Sequence, residues 1–342
     1  MKLSDLAHLI KKINYSSLSK IILFLSLSLL CVELTYRIYL FGINAFNYEK
    51  VNSMAVFTRT GFVRASEYPG VLYELKPNLR SHFKMAKFET NSQGLCDKEY
   101  QIKTDPGITR IVIIGSSFSM GSGVEIDEIY HSILEERLNS GLSGKRYEVI
   151  NFAVAGYNLD MMLATLRYKA LGYEPDLVVV SLTPFTHTSF FTLEKYHQPY
   201  QVHEKVNPFF RSFIYDTLLY PRLNTRRFKY KVTETDEIEA RTRKVFRELY
   251  ELSKEHNFKV VTLGLNKDPL KRDPYDLEKR LSKSYGFHFI DTKSFFINYD
   301  PSALAISKTD GHPNALAHSL FAEALYEGLS EFNLLNIGHG TY

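Results

Sequence analysis

Tryptophan is absent from this sequence, and cysteine is nearly absent. Cys31 and Cys96 are the two cysteines among 342 residues, too few for a disulfide framework or a cysteine-based zinc site. A surplus of charge is also missing, because 42 Lys and Arg face 38 Asp and Glu and leave a net charge of +4. So small a surplus does not favour a nucleic-acid binder, which needs a concentrated basic face. Hydrophobic residues at 44% and charged residues at 23% exclude a disordered chain and a multi-span membrane protein.

Nucleotide-binding signatures are missing from the glycine- and serine-rich stretch 115–123, which reads GSSFSMGSG. A Walker loop needs Gly-Lys-Ser/Thr, and no lysine is present here. A dinucleotide fingerprint needs a third glycine after Gly121 and Gly123. The stretch therefore indicates either a turn that exposes a nucleophilic serine or a plain structural turn.

One uncharged run lies near the N-terminus. Residues 21–32 carry no charge, but twelve residues are fewer than the roughly 20 that cross a bilayer. Extension to Phe41 adds Glu33 and Arg37, which are four residues apart and can pair on one helix face. Tyr36 and Tyr39 then serve as interfacial anchors.

We predict a transmembrane signal anchor over residues 21–41. Residues 1–20 would be cytoplasmic and the chain after the anchor extracytoplasmic, at the plasma (inner) membrane, because four lysines precede the run. These are Lys2, Lys11, Lys12 and Lys20. A cleaved signal peptide is the first alternative, although no A-x-A-like site follows. A lipoprotein at Cys31, which Leu30 disfavours, and a buried helix of a soluble domain are the others.

Strands and helices alternate from residue 110 onward, which is typical of a parallel sheet built from βαβ units. The predicted strands are 110–115, 147–153, 176–182, 258–265 and 287–291. The predicted helices are 127–139, 160–171, 237–256, 275–285 and 314–329. We expect an α/β fold, a three-layer α/β/α flavodoxin-like domain with a five-stranded parallel sheet over residues 110–335. Residues 42–109 are interpreted as a stalk and an irregular β segment.

Two further patterns suggest nucleophilic catalysis. Ser117 follows the first predicted strand, where a tight turn exposes a side chain and backbone N–H groups can face an oxyanion. Asp310 stands two residues before His312, at the spacing at which a carboxylate can hold an imidazole in one tautomer. Pro313 restricts His312 to an extended conformation just before the last predicted helix.

Three blocks together resemble the SGNH (GDSL-type) hydrolase superfamily: 115–118, 151–158 and 310–312. The resemblance covers about residues 68–330 and includes 72–78 and 91–100, which are common in membrane-anchored members. It implies the three-layer fold and ester hydrolysis or acyl transfer without a metal or cofactor.

The same resemblance implies a role for each matching residue. Ser117 would be the nucleophile, His312 the base and Asp310 the residue that orients the base. The amides of Ser117 and Gly156 would stabilise the oxyanion.

Two departures from the family pattern stand out. Ser116 replaces the aspartate that precedes the nucleophile, and no asparagine follows the strand 176–182. Thr183, Thr186 or His187 are the alternative oxyanion donors, and loss of one donor costs about 10²–10³ in rate. The alternative function is therefore a catalytically inactive relative that binds polysaccharide or an assembly partner.

The stretch 195–231 is basic and aromatic, with eight Lys or Arg, two acids and nine Phe or Tyr. We interpret it as an insertion that binds substrate, with Arg222, Arg226 and Arg227 as the candidate residues. Docking onto an anionic membrane surface and an ordinary solvated insertion are alternatives.

The function predicted overall is a membrane-anchored serine esterase or O-acyltransferase. Its expected partners are an acylated cell-envelope or exported polysaccharide, or another ester, and the bilayer through residues 21–41, with no nucleic acid.

Overall fold

The computed structural model describes residues 15–54, 57, 60–140, 146–184, 186, 212–219, 235–269 and 273–336. Eight α-helices lie in these ranges: α1 (Tyr15–Phe41), α2 (Tyr48–Asn52), α3 (Ser117–Met120), α4 (Tyr130–Asn139), α5 (Leu159–Tyr168), α6 (Thr235–Glu255), α7 (Asp276–Tyr285) and α8 (Ala315–Glu331). The strands within them are β1 (Val63–Ala65), β2 (Tyr73–Leu75), β3 (Arg80–Phe83), β4 (Ala86–Glu89), β5 (Ile108–Ile114), β6 (Arg146–Asn151), β7 (Leu177–Leu182), β8 (Lys259–Gly264), β9 (His288–Asp291), β10 (Ala305–Ser307) and β11 (Asp310–Pro313).

The core of the molecule is one parallel sheet in the order β6-β5-β7-β8-β9. Every residue of β5 and β7 is buried, as expected for parallel strands covered on both faces. Helix α8 packs on α4, while α6 packs on α5 and α7. The predicted three-layer, flavodoxin-like fold with five parallel strands is confirmed. All five strands point their carboxyl ends to one edge, where ligands bind in such sheets.

Two predicted helices are shorter than the sequence pattern suggested. The pattern over 127–139 begins as a 3-10 turn, Ile126–Glu128, and Ile129 is extended before α4 starts. The pattern over 160–171 breaks at Lys169, and the 3-10 helix Ala170–Tyr173 follows. Buried apolar residues lie at both breaks, Ile129 at the first and Ala170 at the second, so the apolar pattern does not mark either break.

Residues before the main sheet form two small antiparallel hairpins, β1–β2 and β3–β4. Their aromatic side chains are buried in the same hydrophobic core as the main sheet, notably Phe62, Tyr73, Phe83 and Phe88. The rings of Phe62 and Phe88 stack with centroids 5.0 Å apart. The short strands β2 to β4 therefore lie against the sheet and its edge.

Helix α1 is apolar and exposed along most of its length. It continues into the 3-10 helix Gly42–Phe46, and by length and composition the helix can cross a membrane. The predicted pair forms, since Arg37 Nε donates to Glu33 Oε1 at 2.9 Å.

The side chain of Arg110, at the amino end of β5, is almost completely buried. Its guanidinium donates to Glu148 Oε2 at 2.7 Å and to the carbonyls of Ile102 and Tyr173 at 2.6 and 2.8 Å. It also donates to the carbonyl of Gln101 at 2.5 Å. One cation thus satisfies acceptors from three chain segments around the central strand.

We expect Arg110→Met to lower the free energy of unfolding by about 3 kcal/mol, because it leaves a carboxylate and three carbonyls without their donor. Urea titration of the full chain in detergent measures this. Arg243→Met is the matched control. Arg243 pairs with Glu239 on the exposed face of α6, and its loss should cost less than about 0.5 kcal/mol. Equal effects of the two changes would contradict the assignment.

His318 on α8 is a buried histidine outside the site described below. Its ring stacks on Tyr130, and its Nδ1 accepts the Tyr130 N–H at 3.3 Å. Burial lowers the pKa of His318 to about 3, and the nearby charges of His131 and His312 act in the same direction.

Because the pKa of His318 is lower in the folded chain than in the unfolded chain, the unfolded chain binds a proton between these two pKa values and the folded chain does not. Stability should therefore fall as the pH drops below the ordinary histidine pKa, by about 2 kcal/mol between about pH 7 and about pH 5. His318→Gln should remove most of this dependence in urea titrations at the two pH values. His256→Gln, at an exposed histidine, should retain it, and a wild-type slope in His318→Gln would refute the prediction.

Candidate active site

Ser117 lies immediately beyond the carboxyl end of the central strand. It is the first residue of α3, so its backbone N–H has no acceptor within the helix. Gly115 makes the turn possible, since a Cβ there would lie 2.7 Å from Ser119 Oγ and 2.9 Å from Ser181 Oγ. The sequence thus folds into a tight turn in which Ser117 stays partly exposed while its neighbours are buried.

Hydroxyl groups join this turn to the sheet beneath it. Ser119 Oγ and Ser181 Oγ are hydrogen-bonded, and the Tyr130 hydroxyl donates to Ser119 Oγ at 3.0 Å. Asn151, at the end of β6, donates from Nδ2 to the carbonyl of Ser119 at 2.7 Å. Helix α3 is therefore held by β6 and β7, the two strands that flank β5.

The structure brings Ser117, His312 and Asp310 together. Ser117 Oγ lies 2.9 Å from His312 Nε2, so the serine hydroxyl can donate to that nitrogen. His312 Nδ1 lies 2.5 Å from Asp310 Oδ1, which also accepts the His312 backbone N–H at 3.1 Å. His312 and Asp310 both lie on β11, within the hairpin β10–β11. The order serine, imidazole, carboxylate is the one that activates a hydroxyl for attack.

Lys84 is a fourth member of this site, and the sequence analysis missed it. Its Nζ donates to Asp310 Oδ2 and lies 3.0 Å from His312 Nδ1. Asp310 thereby offers one oxygen to the histidine and the other to the lysine. A single lysine in a turn, far from Asp310 in the chain, belongs to no recognisable pattern, so no signal in the sequence could have found it.

The turn that carries Lys84 is held in a costly conformation. Lys84 has φ 49° and Met85 has φ 76°, values that favour glycine in a two-residue hairpin turn. Ser53 holds both residues. Its carbonyl accepts from Lys84 N at 2.9 Å, and its Oγ accepts from Met85 N at 2.7 Å. The strained turn aims the lysine at the Asp310 carboxylate.

The ionisation of Asp310 follows from these contacts. Burial alone would raise the pKa of its carboxyl. The hydrogen bond and charge of His312, followed by those of Lys84, outweigh burial and lower the pKa below its usual range. Burial is also the largest influence on Lys84 and lowers the pKa of its ammonium, against the attraction of Asp310. The pair therefore presents a carboxylate to His312 across the neutral pH range.

The predicted second block lies on the same edge of the sheet. Gly156 has φ 84°, a left-handed conformation that favours glycine. Tyr73, from β2, donates its hydroxyl to the carbonyl of Ala155 at 2.6 Å, and the Tyr157 hydroxyl donates to the carbonyl of Tyr73 at 2.5 Å. The segment before the main sheet therefore braces the Gly156 turn as well as the histidine side of the site.

The candidate donors after β7 form a turn of their own. Thr186 Oγ1 accepts the Thr183 N–H at 2.7 Å, and Thr186 N donates to the Thr183 carbonyl at 3.0 Å. Both threonines are almost completely buried. His187 lies outside the described residues. Which of these residues faces an oxyanion stays a prediction, as do the oxyanion roles of Ser117 and Gly156.

The predicted substrate-binding arginines Arg222, Arg226 and Arg227 lie outside the described residues. Of the insertion 195–231, residues 212–219 are described, and they contact α1. Among the described residues, no group of His, Cys, Asp or Glu could hold a metal ion.

Several solved hydrolase structures align with this chain. LAE5, an alpha/beta hydrolase enzyme from the metagenome of Lake Arreo in Spain, is 18% identical with a TM-score of 0.46, over 68% of this chain and 98% of that one. A catalytic mutant of Axe2, an acetylxylan esterase from Geobacillus stearothermophilus, is 14% identical with a TM-score of 0.44, over 66% and 95%. TesA is 15% identical with a TM-score of 0.43, over 65% and 99%.

No protein-family model matches the sequence, and no curated protein matches it significantly. At identities this low the similar structures concern the fold alone. The fold that the resemblance to the SGNH hydrolases implies is the fold observed, with one sheet of five parallel strands in the order given above.

We expect Lys84→Met to slow the reaction of Ser117 with a fluorophosphonate by about tenfold or more, because Asp310 loses the contact that fixes its orientation behind His312. The measurement is the rate at which the probe labels the full chain in detergent solution. Lys308→Met is the matched control. Lys308 lies two residues before Asp310, and its Nζ sits over the Tyr39 ring. Equal rates for the wild type and Lys84→Met would contradict the role of Lys84.

Proposed function

We propose that this chain is a membrane-anchored, extracytoplasmic serine esterase or O-acyltransferase that acts on acyl esters of a cell-envelope or exported polysaccharide. The observation that carries the proposal is the hydrogen-bonded line from Ser117 Oγ through His312 to Asp310. The three residues come from two elements far apart in the chain, and a purely structural role does not require this order of groups.

The geometry supports the following reaction. Ser117 Oγ attacks the acyl carbonyl carbon while His312 Nε2 takes the hydroxyl proton. The Asp310 carboxylate stabilises the resulting imidazolium and holds its orientation. His312 then returns the proton to the alcohol oxygen as its bond to the acyl carbon breaks. The alcohol departs, and the acyl group remains bonded to Ser117 Oγ. Water or a sugar hydroxyl gives its proton to His312 and attacks the acyl carbon. The bond between the acyl carbon and Ser117 Oγ then breaks, and His312 returns the proton to Ser117 Oγ.

The tetrahedral intermediate carries a negative oxygen that needs donors. The N–H of Ser117 opens α3, and Gly156 lies in the neighbouring turn at the same edge of the sheet. We assign the oxyanion to these two amides, with Thr183, Thr186 or His187 as the third donor. Hydrolysis and acyl transfer use the same residues and differ only in the nucleophile that resolves the acyl-serine.

The anchoring part of the proposal is supported by α1. Its apolar side chains are exposed, and no part of its most apolar window is buried by the rest of the described chain. The lysines before it favour a cytoplasmic N-terminus. The carbohydrate part is supported by the family resemblance and by the basic, aromatic composition of residues 195–231, since aromatic faces stack on sugars and Lys or Arg attract acidic groups.

Labelling with a fluorophosphonate tests the catalytic part. We expect the full chain to be labelled at Ser117, Ser117→Ala to be unlabelled, and His312→Ala to react at least about 10³-fold more slowly because the base is lost. Mass spectrometry of the labelled peptide identifies the site.

Ser116→Ala is the matched control, because Ser116 is the adjacent serine and its side chain makes no capping hydrogen bond to α3. It should label like the wild type. A folded wild-type chain that is not labelled would refute catalysis and favour the alternative, an inactive relative that binds polysaccharide or a partner. Labelled chains would then be screened against acetylated sugars.

A further inference from the structure

The outer end of α1 binds the first residues of the segment 212–219. Glu33 Oε2 accepts from Ser212 Oγ at 2.9 Å and from Ile214 N at 3.3 Å, while Oε1 accepts from Phe213 N at 2.8 Å. Arg37 donates to the same carboxylate. A carboxylate in an apolar helix is costly unless its acceptor sites are filled. The three contacts from residues 212–214 join α1 to the segment that carries the helical turn Tyr215–Leu219.

A small hydrophobic cluster seals this junction. Phe213 is buried against Phe41, with ring centroids 5.0 Å apart in an edge-to-face arrangement. Val51 from α2 completes the buried part, and Met85 packs against it. The cluster is separate from the main hydrophobic core. It therefore fixes the helical turn and the strained β3–β4 turn to the outer end of α1.

Beside this cluster, large apolar side chains are exposed. Ile43 is 89% exposed and Phe46 is 71% exposed, and both follow directly on α1. The helical turn adds exposed side chains on the same junction. We call this set the shelf: Ile43, Phe46, Tyr215, Leu218 and Leu219. Exposed apolar side chains that continue the surface of a membrane-crossing helix match the lipid interface in chemistry.

The shelf is also close to the reactive residues. Met85, which packs on the cluster, is the neighbour of Lys84, which binds Asp310. On the other side, Lys308 Nζ lies 4.6 Å from the centre of the Tyr39 ring and two residues before Asp310. A lysine side chain and two residues of extended chain place Asp310 within about 20 Å of Tyr39. Both turns that hold the histidine side of the site thus touch the outer end of α1.

We propose that the shelf lies in the lipid interface and holds Ser117 and His312 at the bilayer surface, so that this site takes esters carried by a membrane-bound molecule. The proposal rests on the proposed function, both for the anchor and for the nucleophile. Beyond that function, the proposal gives the position of the site relative to the bilayer and the class of ester that the site takes. A site that acts on a freely diffusing, soluble polymer would not need to lie at the bilayer surface.

The position of the shelf can be measured without any activity, because the chain contains no tryptophan. Phe46→Trp and Leu219→Trp each introduce one fluorophore into the full chain, which is reconstituted in phospholipid vesicles. Ile102→Trp is the matched control. Ile102 is exposed and lies near the amino ends of the strands, at the opposite edge of the sheet from Ser117.

Replacing the lipids with acyl-brominated lipids should quench the tryptophans at positions 46 and 219 at least about twofold more than the one at 102, since only the shelf enters the acyl boundary. Quenching at position 46 alone, or equal quenching at all three positions, would overturn the proposal. If the chain does not float with the vesicles at all, the anchor itself fails, and that outcome is distinct from an unquenched shelf in a vesicle-bound chain.

The ester class is tested with two fluorophosphonates, one tethered to a phospholipid and one soluble, on the vesicle-bound wild type. The tethered probe should label Ser117 at least about tenfold faster than the soluble probe at equal bulk concentration, because the site stands where the lipid concentrates it. Phe46→Asp combined with Leu219→Asp should remove this preference and leave the soluble rate unchanged. Labelling by the soluble probe with no preference for the tethered one would overturn the inference alone, whereas no labelling by either would refute the proposed function as well.

Discussion

The pairing of β5 with a parallel neighbour on each side is the constraint on which the rest of the structure depends. The strand is buried on both faces, and its amino end is held by the guanidinium of Arg110. At its carboxyl end Gly115 lets Ser119 and Ser181 approach closely. Because β6 and β7 fix α3 from the two sides, Ser117 has a defined position before any contact with His312 is made. A shift of register in β5 would displace Ser117 and the buried Arg110 together.

The hairpins before the sheet complete what the sheet begins. Tyr73 holds the Gly156 turn through the Ala155 carbonyl, and Lys84 holds the Asp310 carboxylate. The first contact comes from β2 and the second from the turn between β3 and β4. Aromatic side chains of these short hairpins are buried in the main core. From the sequence, residues 42–109 are interpreted as a stalk and an irregular β segment. In the structure they position residues on both sides of the site.

Much of the fold and part of the site could be predicted from the sequence. Buried parallel strands are recognised by continuous apolar runs, and short motifs such as Asp310-Gly311-His312 carry their geometry within three residues. The contacts of Lys84 and Tyr73 could not be predicted, because they join residues that only the folded chain brings together. One helix start, at Ile129, and one helix end, at Lys169, were misplaced because the backbone leaves the helical conformation there without a break in apolar spacing. The third oxyanion donor stayed open because the order of residues after β7 does not fix which threonine faces the reactants.

The long separation of the contacting residues has a consequence for biogenesis. Lys84 and Asp310 are 226 positions apart, and Ser117 and His312 are 195 apart. Contacts of such high sequence separation close late in folding, after the local strands and helices have formed. A chain that emerges N-terminus first carries Ser117 and the strained turn of Lys84 for most of its synthesis without His312. The hydrogen bond between Ser117 and His312 therefore cannot form until β11 has been made and has docked against the sheet.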